Sequence, residues 1–208
     1  MGFWGTYVVG CSDRPLMELE ALTPSADRVR WQRRGGEGWQ VVQIHRGPDG
    51  WDSASLPAAW ERVLISIVEQ TGRPVLAAVV LDSDGAQLVG HSPRAGRWGG
   101  WLGLDRIIMH LDSDAAPYAH EDENCEWQVD EGEEYQHRIG EAKQRLYEVG
   151  PPAHLAAPLA VRWANEAGYT PTCSAVESAM DNDDVFVEDQ FFRFLGAMGL
   201  PELVDTKP

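Results

Sequence analysis

Lysine is almost missing from this sequence: Lys143 and Lys207 are the only two, so basic charge is carried by arginine. With abundant alanine and glycine, that bias points to a GC-rich bacterial coding sequence. Basic residues of both kinds number 17 against 33 acidic ones, a formal net charge of -16. A chain so acidic repels phosphate backbones, which disfavours DNA and RNA as partners and favours a basic protein or a cation. No apolar run approaches the roughly 18 residues of a membrane-spanning helix, and the opening Met1-Gly2-Phe3-Trp4-Gly5-Thr6-Tyr7 has neither a basic leader nor an apolar one. The expected setting is therefore the cytoplasm, without membrane contact. Cysteines are few and scattered, at Cys11, Cys125 and Cys173, a poor basis for disulfides or a zinc knuckle. Also absent are the glycine-rich nucleotide loops, H-E-x-x-H, G-x-S-x-G and C-x-x-C, so no common enzyme class is legible as a motif.

Folding itself is not in doubt, because 43% hydrophobic residues and nine tryptophans supply the apolar area that offsets ordering entropy. The patterning predicts an α+β fold: a mostly antiparallel sheet of hairpins with one packed helix, followed by a helical C-terminal third. Thr6–Gly10 reads as a buried strand. Arg28–Gln32 and Trp39–Ile44, joined through Gly35-Gly36-Glu37-Gly38, read as a hairpin. Trp60, Val63, Leu64, Ile67 and Val68 recur at helical spacing behind an N-cap at Ser55 and Pro57, and Gly72 closes that helix. The continuous run Pro74–Leu81 predicts a central strand covered on both faces, turned by Asp82-Ser83-Asp84-Gly85 into a return strand over Ala86–Gly90. Around Trp98–Leu104 the glycines weaken the case for another strand. From 112 to 132 periodicity gives way to acid, marking a linker between a sheet domain at 1–111 and a helical region at 133–208 that packs on it. In that region Tyr135, Ile139, Ala142, Leu146 and Val149 form one helical stripe. Leu155, Leu159 and Trp163 form a second, which Pro158 should kink or delay. Val185 to Met198 reads as a last helix, with Val185-Phe186-Val187 as an alternative short strand.

Two groups of residues carry chemical interest. The densest run of metal donors is His110, Asp112, Asp114, His120, Glu121, Asp122, Glu123 and Cys125, with His137 placed after it by the Glu134-x-x-His137 pattern; imidazole with carboxylates suits Zn²⁺, Mn²⁺ or Fe²⁺. The candidate ligand set is His110, Asp112, His120, Glu123 and His137, against the plainer reading of a solvated acidic loop and a His137–Glu141 surface pair. Asp82-Ser83-Asp84-Gly85 fails as a calcium loop, because the later ligand positions fall on unsuitable residues, and reads as a hairpin turn. Its two carboxylates at a sheet end are still compatible with a role. The second group is Trp98 and Trp101 among glycines, whose rings suit a partner surface or, more plainly, core packing. No motif calls for a cofactor, and a divalent metal is the one class for which donors are present.

Gly2-Phe3-Trp4-Gly5-Thr6-Tyr7, Ser12-Asp13-Arg14-Pro15-Leu16 and Leu81-Asp82-Ser83-Asp84 together resemble a family of actinomycete proteins with no assigned activity. The likeness covers mainly the first hundred residues; it implies a bacterial cytoplasmic origin and brings no mechanism. Two functions of different class remain. The first is a non-catalytic interaction protein, an antagonist or immunity protein, engaging a basic partner through its acidic surface, with Trp98, Trp101, Glu121, Asp122 and Glu123 in the contact. The alternative is a metal-dependent enzyme or metal-binding protein drawing on the 110–137 segment. A small-molecule sensor using the tryptophan-rich segment is a third.

Overall fold

The computed structural model describes residues 2–46, 56–112, 118–121, 127–130 and 132–205. The fold is α+β. Nine strands are described: β1 (Gly5–Cys11), β2 (Val29–Arg34), β3 (Trp39–His45), β4 (Val75–Leu81), β5 (Gly85–Ser92), β6 (Gly96–Leu102), β7 (Tyr118–Glu121), β8 (Trp127–Asp130) and β9 (Val204–Asp205). The helices are α1 (Leu56–Thr71), α2 (Leu104–Leu111), α3 (Glu133–Val149), α4 (Ala153–Glu166), α5 (Cys173–Met180) and α6 (Val187–Ala197). Seven strands form one sheet in the order β6-β5-β4-β1-β3-β2-β9, every neighbouring pair antiparallel. The first strand in the chain thus sits at the centre, between β4 and β3.

Alternation along the strands builds two cores, because successive side chains point to opposite faces. Tyr7, Val9 and Cys11 of β1, with Leu76, Ala78 and Val80 of β4, face a layer made by α4, α5 and α6. Val8, Val75, Ala77 and Val79 face the other way, onto Trp60, Leu64, Ile67 and Val68 of α1 and onto Leu16, Leu19 and Leu22 from short 3-10 turns. The continuous apolar sequence of β4 follows directly from this; all seven residues of β4 and of β1 are buried, Thr6 being the polar one in β1. The C-terminal helices share one core with the sheet: Phe191, Phe194, Trp163 and Met180 pack in the same cluster as Tyr7 and Leu88.

Several local features differ from the sequence reading. Glycine-rich β6 is a full strand, and its glycines admit the helices: a Cβ on Gly100 would stand 2.8 Å from the Met180 side chain and 3.0 Å from Ala156. The inner face of α4 is correspondingly made of Ala153, Ala156, Ala157, Ala160 and Ala164 around Trp163; of the expected stripe Trp163 is buried and Leu159 packs partly against the core, while Leu155 points outward at 56% exposure. α4 starts at Ala153 and runs through Pro158, which is exposed. Finally, β7 and β8 pair as a small hairpin inside the acidic segment, and Val185-Phe186 is an exposed connection rather than a strand, with α6 starting at Val187. Ser55 lies outside the described residues.

Candidate metal centre

The turn joining β4 to β5 is unusual in its chemistry. The Asp84 amide donates to the Leu81 carbonyl at 3.0 Å, and both central residues have positive φ, Asp82 at 52° and Ser83 at 61°. A type I′ hairpin turn requires such angles and normally recruits glycine or asparagine for them. Here they fall on an aspartate and a serine, at a cost on the order of 1 kcal/mol each.

What holds the turn is the N-terminal segment. The Gly2 amide donates to Asp82 Oδ1 at 2.7 Å and the Trp4 indole N–H to the same oxygen at 3.1 Å. The Phe3 amide donates to the Ser83 hydroxyl at 2.7 Å, while the Ser83 amide returns a bond to the Phe3 carbonyl at 3.1 Å. Gly2 is needed for the close approach, because a Cβ there would lie 2.0 Å from the Asp82 carbonyl oxygen. On the other side the Ser83 hydroxyl donates to Glu188 at 2.7 Å, and the Val187 amide donates to the Ser83 carbonyl at 2.9 Å. Nearby, burial pushes the Tyr7 phenol well above its usual range, and the Glu188 charge adds to that shift.

Helix α2 completes the arrangement. His110, in its last turn, meets the Trp4 ring edge to face at 6.1 Å between centroids, and the Arg46 guanidinium lies over the Trp4 ring at 5.1 Å. Asp82, Asp84 and His110 each bring one donor atom to a common point, all within 4.8 Å of one another. Asp82 and Asp84 are half-buried and His110 is exposed. The two N–H groups on Asp82 Oδ1 hold its carboxylate in place. Such outer hydrogen bonds orient ligands in metal sites. Two carboxylates and an imidazole suit Mn²⁺, Fe²⁺ or Zn²⁺, and three protein donors leave coordination positions for water or a substrate.

The sequence-derived candidates are distributed differently. His110 belongs to this cluster. Asp112 instead accepts two bonds from Arg145, at 2.6 and 2.9 Å. Two residues after His110 at a helix end, it faces another direction. His137 lies on the outer face of α3, 3.4 Å from Glu141. His120 and Glu121 are described as backbone of β7, and Asp122 and Glu123 lie outside the described residues. Trp98 and Trp101 are interior residues, 3% and 7% exposed. Trp98 lies against Gly90, and Trp101 donates its indole N–H to the Leu146 carbonyl at 3.2 Å. Asp82 and Asp84, read from the sequence as turn carboxylates compatible with a role, are the members of this cluster outside the candidate ligand set, and their signal is a hairpin turn with no glycine at its centre. No family model, curated protein or solved structure matches the chain.

Proposed function

We propose that the protein binds a divalent metal ion at Asp82, Asp84 and His110. One observation carries the reading: a carboxylate pair from a hairpin turn and an imidazole from a separate helix converge within 4.8 Å. The side chains of two of the three, Asp84 and His110, make no hydrogen bond among the described residues. A bound ion would neutralise the repulsion of two carboxylates held together, in a chain already at -16. With coordination positions left open, the ion would act as a Lewis acid or lower the pKa of a bound water.

Thermal melts with Mn²⁺, Zn²⁺, Ca²⁺ and Mg²⁺, paired with calorimetric titration, test it. An ion that binds only the native state raises stability by about 2.7 kcal/mol at a hundredfold excess over its Kd. The expected result is one equivalent of ion bound and a rise in Tm that disappears in Asp84→Asn and His110→Ala, both of which leave the metal-free Tm close to wild type. A flat response to every ion would remove the reading.

A second reading, an acidic surface that engages a basic partner, is favoured by one feature. Val185 and Phe186 are 81% and 55% exposed in a sequence flanked by Asp183, Asp184, Glu188 and Asp189. Apolar anchors within a ring of one charge suit an oppositely charged, amphipathic surface.

A further inference from the structure

Beyond the metal reading, and independently of it, we propose that the cleft between α2, the end of α3 and the α5–α6 connection binds an organic cation, an ammonium or guanidinium head on an apolar stem. The cleft has a volume of about 380 Å³, within the range of small-molecule sites. Its walls are apolar and aromatic, made by Trp101, Leu104, Tyr147, Pro152 and Met180. Trp101 is pinned by its bond to the Leu146 carbonyl, so that wall is preformed.

The sign of the ligand follows from the charges around the cleft. Asp105, Asp181 and Asp183 line it, with Arg106 as the one cation in the lining. Arg106 is already engaged: its Nη1 meets Asp183 at 3.4 Å and donates to the Asp184 carbonyl, and its Nη2 donates to Gln190 at 3.4 Å. Its Nε has no partner but is closed off from solvent, out of reach of a ligand in the cleft. An anion entering would meet three carboxylates and a single guanidinium already paired with Asp183 and bonded to Asp184 and Gln190. Asp105 is held by Lys143 at 2.7 Å, whereas Asp181 has no ion pair among the described residues. Two helix starts, α2 and α4, and two helix ends, α3 and α5, meet here, so their dipoles offset and the side chains decide. An ammonium at Asp181 would also lie against aromatic faces, which attract cations. The apolar walls then take the stem.

Such a head arrives either on a free amine or as a lysine or arginine side chain of a peptide, and the probes separate the two. The full chain is titrated in a calorimeter, with EDTA present throughout, against benzylamine, benzoate and the tripeptide leucyl-lysyl-leucine with blocked ends. EDTA removes any contribution from the metal site, so failure of that reading leaves this test untouched. The expected result is saturable binding of one benzylamine and none of benzoate. Asp181→Asn should weaken benzylamine by up to roughly fivefold, the upper end for an exposed ion pair. Asp181→Lys, which puts a cation in the mouth at a helix C-terminus where lysine is well tolerated, should abolish binding with no loss of Tm. A tripeptide that binds more tightly than benzylamine assigns the site to a peptide side chain; one that binds equally or less tightly assigns it to a free amine. Benzoate binding as well as benzylamine, absence of saturable binding, or indifference to Asp181→Lys would each overturn the proposal.

Discussion

The two ends of β5 both carry carboxylates, and the two sets are in opposite circumstances. At its C-terminal end Glu166, reaching from α4, is saturated. The Ser92 hydroxyl and the Ala95 amide donate to one oxygen and the Arg94 amide to the other, all within 2.8 Å, with the Arg94 guanidinium at 3.5 Å. Desolvation pushes the Glu166 carboxyl up, but these hydrogen bonds outweigh it and hold the group below the usual carboxylate range. At the N-terminal end Asp82 and Asp84 lie in a strained turn, with only one oxygen of Asp82 engaged and His110 alongside. A carboxylate whose lone pairs are filled by the fold is a clamp. Carboxylates held close together with lone pairs open are ligands in waiting, because the protein itself leaves their charge uncompensated.

This contrast can be broken at either end. The largest effect is expected from Glu166→Ala, which strands the buried Ser92 hydroxyl and removes acceptors from two amides; a loss of roughly 3 kcal/mol is expected for charged hydrogen bonds of this kind, read by denaturant unfolding. The same substitution should leave metal affinity unchanged. At the other end, Trp4→Phe keeps an aromatic ring against His110 but deletes the N–H that orients Asp82. Metal affinity should fall about tenfold, the lower limit for an outer-shell partner, with little change in metal-free Tm. The smallest effect is in pH dependence. A depressed Glu166 contributes stability that is complete above its unfolded value of about 4.3 and is lost as pH falls through the folded value. Glu166→Gln should therefore be less stable than wild type at neutral pH and lose less on acidification, so the two acid unfolding curves converge.

Much of the fold was legible because burial is written in periodicity. β4 is apolar throughout, and β1 nearly so, because both faces are covered, and α1 shows its single face at Trp60, Leu64 and Ile67. In α4 the expected stripe holds at Trp163 and partly at Leu159 but not at Leu155; where the helix meets Gly100 the contact is Ala156, so size as well as hydrophobicity decides which residues go in. The site was legible in part. His110 was identified by its residue type, then grouped with neighbours in sequence, whereas its partners arrive through a strand turn that folding brings beneath α2. Nothing local in Asp82-Ser83-Asp84 announces that meeting. The positive φ angles and the N-terminal segment that stabilises them exist only once the central strand is in place.

Trp163 carries a consequence of another kind. Its single indole N–H is shared between the carbonyls of Val75 and His91, each at 3.1 Å, and those two residues are register partners at one end of the β4–β5 ladder. Strand ends ordinarily fray because their last groups exchange partners with water at little cost. Here the terminal pair is bolted to a fully buried ring on a helix, so the ladder cannot unzip from that end unless α4 first lifts from the sheet. Local opening at that end of the ladder and loss of the helical layer become the same event.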